Sequence, residues 1–192
     1  MGALGKIRVT EQDYLAAERI APTKSEFVDG EVYGMSGGSE QHSLIATNCT
    51  GLLHAAFTDR PCRVYNSDMK VRTELEGTQH YPDLSALCGQ PDFFDDKRDV
   101  LLNPTLLLEV LSASTEAYDR GRKFALYRGI PSLQEYILID QGQILIDVYR
   151  RQSNNTWALQ SYSNIDDTIT LTSIDCELPI RAIYDKVELE SD

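Results

Sequence analysis

The run Leu106-Leu107-Leu108-Glu109-Val110-Leu111 constrains this chain more than any other stretch. A nearly continuous apolar segment of this length, residues 105–111, forms a strand covered on both faces. Such a strand needs layers above and below it, which the rest of the chain must supply. Glu109 is the anomaly inside it. An ionised carboxylate among such neighbours costs several kcal/mol unless a cation or a set of hydrogen bonds compensates it. That cost marks a candidate functional residue. The plainer reading is a strand-end glutamate that faces solvent or pairs with an arginine.

Around this strand the pattern alternates between helical and extended. Thr10-Glu11-Gln12-Asp13 has the form of a helix start, a hydroxyl cap with a carboxylate three positions on. Residues 26–28 and 31–33 flank Asp29-Gly30, a strong hairpin signal. Ser39 opens a helix running to about residue 58, with Leu44, Ile45, Cys49, Leu52, Leu53 and Ala56 on its buried side. Strands are expected at 62–65, 68–74 and 81–88, then a polar loop at 90–103. A second helix spans 116–128, stopped by Gly129 and Pro131. Further strands fall at 134–139, 144–149, 157–162 and 168–171, and Pro179 opens a short terminal helix. With no repeat and no linker, residues 1–192 read as one α/β (α+β) domain, a mixed sheet flanked by helices. Residues 1–9 and 188–192 read as flexible tails.

Composition narrows the classes. A chain of 192 residues with 42% apolar content buries roughly 70% of its unfolded surface and folds without disulfides. No apolar run approaches the about 20 residues a membrane span needs, and residues 1–10 lack the apolar centre of a secretory signal. Cys49, Cys62, Cys88 and Cys176 form no C-x-x-C pair. A zinc knuckle and a disulfide framework are both poor readings, and reduced thiols in the cytoplasm fit better. Net charge is −12, which argues against a protein that coats duplexes by releasing phosphate counterions but not against one local basic patch.

Two further features bear on Glu109. Tyr81-Pro82-Asp83 opens the segment Leu84 to Leu87; Asp83 alone is a turn or strand-entry residue, but acids from two neighbouring strands can converge on one divalent cation. Magnesium is satisfied by one or two carboxylates with water and phosphate oxygens. Asp119, Lys123 and Tyr127, spaced i, i+4, i+8, share a helix face. The bland alternative there is an exposed ion pair. The same segment adds Arg120, Arg122 and Arg128, four basic residues against one acid in an acidic chain, as a phosphate site would require.

Pro82-Asp83 followed at a distance by Glu109-Val110-Leu111 resembles a variant of the PD-(D/E)XK nuclease signature. More narrowly, Glu109 to Thr115 followed by Asp119, Lys123 and Tyr127 is similar to the Uma-two family of restriction-endonuclease-like bacterial proteins. The likeness extends to Glu26 with Val28-Asp29-Gly30-Glu31, to His42, and to Pro131 through Asp140, covering roughly residues 10 to 150. It implies a restriction-endonuclease-like core, a mixed central β-sheet flanked by helices, with an added N-terminal hairpin and C-terminal strands. It also implies a Mg²⁺-dependent endonuclease acting on DNA, with Mn²⁺ as a substitute and a homodimer as the assembly. Asp83, Glu109 and the Val110 carbonyl would hold the metal. Leu111 stands where the superfamily carries its lysine, and the resemblance assigns that role to Lys123. Ala113 replaces a proline common in the loop. Asp119 would orient Lys123, Tyr127 would bond a phosphate or water, and Glu26 would join the metal shell or act as a base if its hairpin lies beside the site.

Other residues carry plainer expectations. His42 reads as a satisfied structural histidine, with a site-facing role as the alternative; His54 and His80 show no metal spacing. Ser112 and Ser114 either brace the carboxylate or cap the following helix. Two other functional classes stand beside the nuclease. One is a catalytically inactive nucleic-acid-binding or oligomeric accessory protein. The other is a two-carboxylate glycosidase, for which one tryptophan and 8% aromatics give little support.

Overall fold

The computed structural model describes residues 8–73 and 77–189. Most of the expected tail residues, 1–7 and 190–192, lie outside the described residues, as does the last residue, 74, of the expected strand at 68–74. Helix α1 (Glu11–Glu18) starts where Thr10 accepts the Asp13 N–H. The hairpin β1 (Ser25–Val28) and β2 (Glu31–Gly34) turns through Asp29 and Gly30, both at positive φ, the conformation a two-residue hairpin loop requires. Ser39 caps α2 (Glu40–Ala56) by accepting the His42 N–H. Then follow β3 (Cys62–Asn66), β4 (Lys70–Arg72), β5 (Gln79–His80), β6 (Leu84–Cys88), β7 (Val100–Leu101) and β8 (Leu106–Leu111).

The second helical segment consists of α3 (Glu116–Tyr118), a π-helical turn (Asp119–Lys123) and α4 (Phe124–Tyr127). The chain ends with β9 (Glu135–Asp140), β10 (Ile146–Arg151), β11 (Trp157–Tyr162), β12 (Thr168–Leu171), β13 (Cys176–Pro179) and α5 (Ile180–Ile183). The strands form a six-stranded sheet, β11-β10-β9-β8-β6-β3, a five-stranded sheet, β2-β1-β5-β4-β7, and the β12-β13 pair. In the larger sheet β8 and β9 run parallel and the other neighbours antiparallel. This is the mixed α+β class expected.

Alternation along β8 sets the two cores. Leu106, Leu108 and Val110 pack with Ile45, Cys49 and Leu53 of α2 and with the C-terminal β-pair. Leu107 and Leu111 face the other way, against Phe124, Tyr127, Leu133 and Tyr136. Glu109 shares that second face. It does not reach solvent: it is 4% exposed.

Four expectations change. The strand expected over 81–88 starts only at Leu84, as β6, while β5 before it ends at His80 and belongs to the other sheet, because Pro82 cannot donate a ladder bond and Asp83 takes the Val110 N–H with its side chain. The loop 90–103 contains β7, bridged to Phe93, and β13 was not anticipated. Cys62 and Cys88 form a disulfide, so those two thiols are not free; the antiparallel register sets them directly opposite, which sequence spacing could not reveal. Cys49 and Cys176 are buried and free. Among the described residues no helix is long and apolar enough to cross a membrane.

Candidate active site

Asp83 enters at the end of a ladder. The β6–β8 pairing runs from Ala86↔Leu106 to Leu84↔Leu108 and stops, so the Val110 N–H beyond it needs another acceptor. The Asp83 Oδ2 supplies one at 2.7 Å and also meets the His42 Nε2 at 3.1 Å. Glu109 lies one residue before Val110 on the face turned to α4. Asp83, Glu109, Val110, Asp119, Lys123 and Glu26 all line one cavity of about 390 Å³.

Lys123 is the hub. Its Nζ lies 2.7 Å from Glu109 Oε1 and 3.5 Å from both Asp119 Oδ1 and Glu26 Oε1. Glu26 is brought in by the hairpin: its Oε1 accepts the Tyr81 N–H at 3.1 Å, and its Oε2 lies 3.2 Å from His80 Nδ1. Tyr127 donates its hydroxyl to Glu109 Oε1 at 3.0 Å, and the Tyr136 hydroxyl donates to the Asp119 carbonyl. All six predicted side chains therefore gather, Glu26 included. Leu111, two residues beyond Glu109, is buried among the aromatics, and the amine beside Glu109 comes from the helix.

The electrostatics follow from burial. Burial pushes Glu109 well above the ordinary carboxylate range, and Asp119 and Asp83 push the same way against Lys123. Burial likewise raises Asp119, opposed mainly by Lys123. Burial alone would lower Lys123, but Glu109, Glu26 and Asp119 outweigh it and keep the ammonium charged. Burial would raise Glu26 too, yet Lys123, His80 and the Tyr81 N–H hold it down at about 2. The hydrogen bond to Asp83 raises His42 against its burial. Four carboxyl groups thus face one lysine and two histidines.

That excess of negative charge suits a divalent cation. Among the described residues no group of three or more His, Cys, Asp or Glu side chains is arranged to hold a metal, so a site here would have to draw on two carboxylates and a carbonyl. Magnesium accepts such a set, because water and phosphate oxygens complete its shell. The donor chemistry fits.

Two residues depart from their sequence reading, and for His42 the site-facing alternative holds. His42 braces Asp83, and its ring lies so close to Gly38 that an added Cβ would sit 2.9 Å from Nδ1. His80 is fully buried as the partner of Glu26; its place three residues before Asp83 was the one available hint. Arg120 is not a phosphate ligand, since it is engaged by Glu116 and Asp147. Of the four basic residues of the segment, Arg120 and Lys123 are thus paired with acids, and Arg128 lies over the Phe124 ring.

The family model named Uma2, described as "Putative restriction endonuclease", matches residues 11–181. The chain is 35% identical over 179 residues to the uncharacterized protein slr1290 of Synechocystis sp., covering 92% of each chain. It is 36% identical over 151 residues to the uncharacterized protein sll1609 of the same organism, covering 79% of this chain and 85% of that one. A crystal structure from Anabaena variabilis, titled as a putative nuclease belonging to DUF820, superposes with a TM-score of 0.74 at 17% identity. It covers 92% of this chain and 97% of that one, and at that identity the likeness establishes the fold.

Proposed function

Since the chain belongs to the Uma2 family, we propose that it is a Mg²⁺-dependent endonuclease that hydrolyses DNA phosphodiester bonds. The observation that carries this reading is the meeting of Asp83, Glu109 and Lys123 in one cavity. Mg²⁺, or Mn²⁺ in its place, would be held by Asp83, Glu109 and the Val110 carbonyl, where it supplies Lewis-acid polarisation of the phosphoryl oxygen and an acidified water. Lys123, kept charged by its three carboxylate neighbours, positions the attacking water or offsets charge growing on the phosphoryl oxygens. Asp119 and Glu26 fix the ammonium in place. His42 and the Val110 N–H hold the Asp83 carboxylate in one orientation. Tyr127 orients Glu109 from below; it is fully buried and its one hydroxyl proton goes to that carboxylate, so the phosphate or water contact expected of it from the sequence is corrected to a positioning role.

With one such site per chain, cutting both strands of a duplex calls for two chains, so the reading includes a homodimer. It also includes a cytoplasmic location, beside the cell's DNA. The test is nicking of supercoiled plasmid with Mg²⁺ or Mn²⁺. Wild type converts the plasmid to open-circular and linear forms, and Asp83→Ala, Glu109→Ala and Lys123→Ala each lose at least about 100-fold in rate. Activity that survived all three would remove the assignment.

One observation favours a second reading, a non-catalytic nucleic-acid-binding or oligomeric accessory protein: Glu109 Oε1 is already occupied by Lys123 and Tyr127. That reading predicts no change in melting temperature with Mg²⁺. The nuclease reading predicts stabilisation of about 2.7 kcal/mol at a metal concentration 100 times its dissociation constant, absent in Glu109→Ala.

A further inference from the structure

Two aromatic rings reach the acidic cavity from different elements. Tyr33 comes from β2 and Tyr118 from α3, and both line it together with Met35. Tyr33 is 45% exposed and Met35 37%. Six large apolar side chains are exposed among the described residues, and three of them are Val32, Tyr33 and Met35. Apolar exposure gathered at one place marks a contact site, and here the place is the acidic cavity. The Tyr33 hydroxyl donates to Glu31 at 2.6 Å, which orients the ring without covering it. Tyr118 is half-buried yet belongs to none of the three apolar cores. Among the described residues its hydroxyl has no hydrogen-bond partner. Burial and Glu26 hold that hydroxyl up at about 12, against Lys123 and Arg122, so it keeps its proton.

The depth of the charged groups is the second observation. Glu109, Asp119 and Lys123 are all buried, so a phosphate meets them only by entering the cavity. The nucleoside joined to that phosphate is carried in behind it, as far as the lining tyrosines. The four acids of the cavity are each paired, Asp83 with His42 and the other three with Lys123. Tyr33, Tyr118 and Met35 are left for the uncharged part of such a substrate. A nucleobase is that part, and its flat face stacks on aromatic side chains whichever base it is.

Resting on the nuclease reading, we infer that Tyr33 and Tyr118 seat the nucleobase next to the scissile phosphate, with Met35 packed beside it. In a duplex this base leaves its stack, and stacking on the two rings offsets the cost of drawing it out. Each chain of a pair draws out one base, so the arrangement suits a duplex cut by two chains.

The experiment compares two esters that share a leaving group, thymidine 5′-(p-nitrophenyl phosphate) and methyl p-nitrophenyl phosphate, with Mn²⁺ as the metal. Wild type is expected to favour the thymidine ester by at least about tenfold in kcat/KM, mainly through KM. Tyr33→Ala and Tyr118→Ala each reduce that preference at least about fivefold, whereas Tyr118→Phe, which keeps the ring, retains it. Should Tyr118→Ala fail to fold, the exposed Tyr33→Ala carries the test alone. Equal use of both esters by wild type, or a preference the alanine variants leave untouched, overturns the inference while the nuclease reading stands. A Tyr118→Phe that behaves like Tyr118→Ala overturns it too, because the hydroxyl and not the ring would then be at work. If neither ester is cleaved, plasmid nicking alone decides the nuclease reading. The subsite is then decided by thermal shift in Ca²⁺ with thymidine 5′-phosphate against inorganic phosphate. A larger shift with the nucleotide, abolished in Tyr33→Ala and Tyr118→Ala, sustains it, and equal shifts overturn it.

Discussion

The two faces of β8 differ in kind. Toward α2 the strand shows Leu106, Leu108 and Val110 to a layer of aliphatic side chains. Toward α4 it shows Leu107, Glu109 and Leu111 to Phe124, Tyr127 and Tyr136. A buried carboxylate is tolerable only on the second. Aliphatic groups offer no hydrogen bonds, whereas a tyrosine packs as an apolar ring and still carries a hydroxyl. Tyr127 donates to Glu109 and Tyr136 to the Asp119 carbonyl, so that face excludes water and satisfies polar atoms at once. The lesson is that the charged cluster sits where the core is aromatic because only there can burial and hydrogen bonding be had together.

Lys123→Met should break that contrast most severely. It keeps the apolar stem but strands Glu109, Asp119 and Glu26, a loss of about 3–5 kcal/mol visible in urea unfolding at neutral pH, along with loss of plasmid nicking. On the opposite face, Leu108→Ala should cost about 2–5 kcal/mol through cavity formation alone, with a cost independent of pH and ionic strength. If both variants respond identically to pH, the electrostatic distinction between the faces is wrong.

Glu26 sharpens the comparison through its titration. Its folded pKa is depressed from 4.5 to about 2. The associated stability, on the order of 3 kcal/mol, is fully present above the unfolded value and is lost as pH falls through the folded one. Stability measured from pH 5 downward should therefore decline less in Glu26→Gln than in wild type, and parallel curves would show that Lys123 does not hold Glu26. The smallest expected effect is that of Tyr127→Phe, which removes one hydroxyl from a buried carboxylate and should cost about 1.5–3 kcal/mol. With its ring kept, the stacking of Phe124 on Tyr136, at 5.1 Å between centroids, should persist in near-ultraviolet circular dichroism.

Much of this was legible in the sequence because the decisive residues broke local rules. Glu109 interrupts an aliphatic run, Pro82-Asp83 opens the segment Leu84 to Leu87, and Asp119, Lys123 and Tyr127 repeat at helical spacing. What stayed hidden depends on pairing between distant segments. His80 reaches Glu26 only because β5 pairs with β1. The Cys62–Cys88 bridge exists only through the β3–β6 register. Arg120 looked available for phosphate because Asp147, its partner on β10, lies in a strand whose position no local pattern gives.

The π-helical turn between Asp119 and Lys123 carries a consequence for how this segment tolerates change in length. Such a turn is a helix holding one residue more than regular winding allows. Deleting Gly121, which is exposed and touches nothing a Cβ would meet, would let the winding revert to a regular helix. Because the bulge absorbs its extra residue locally, Phe124 and Tyr127 would keep their face, while Asp119 would come to stand three residues before the lysine instead of four. The segment should therefore bear the loss of a residue here more easily than the gain of one, which would turn everything beyond it about the helix axis.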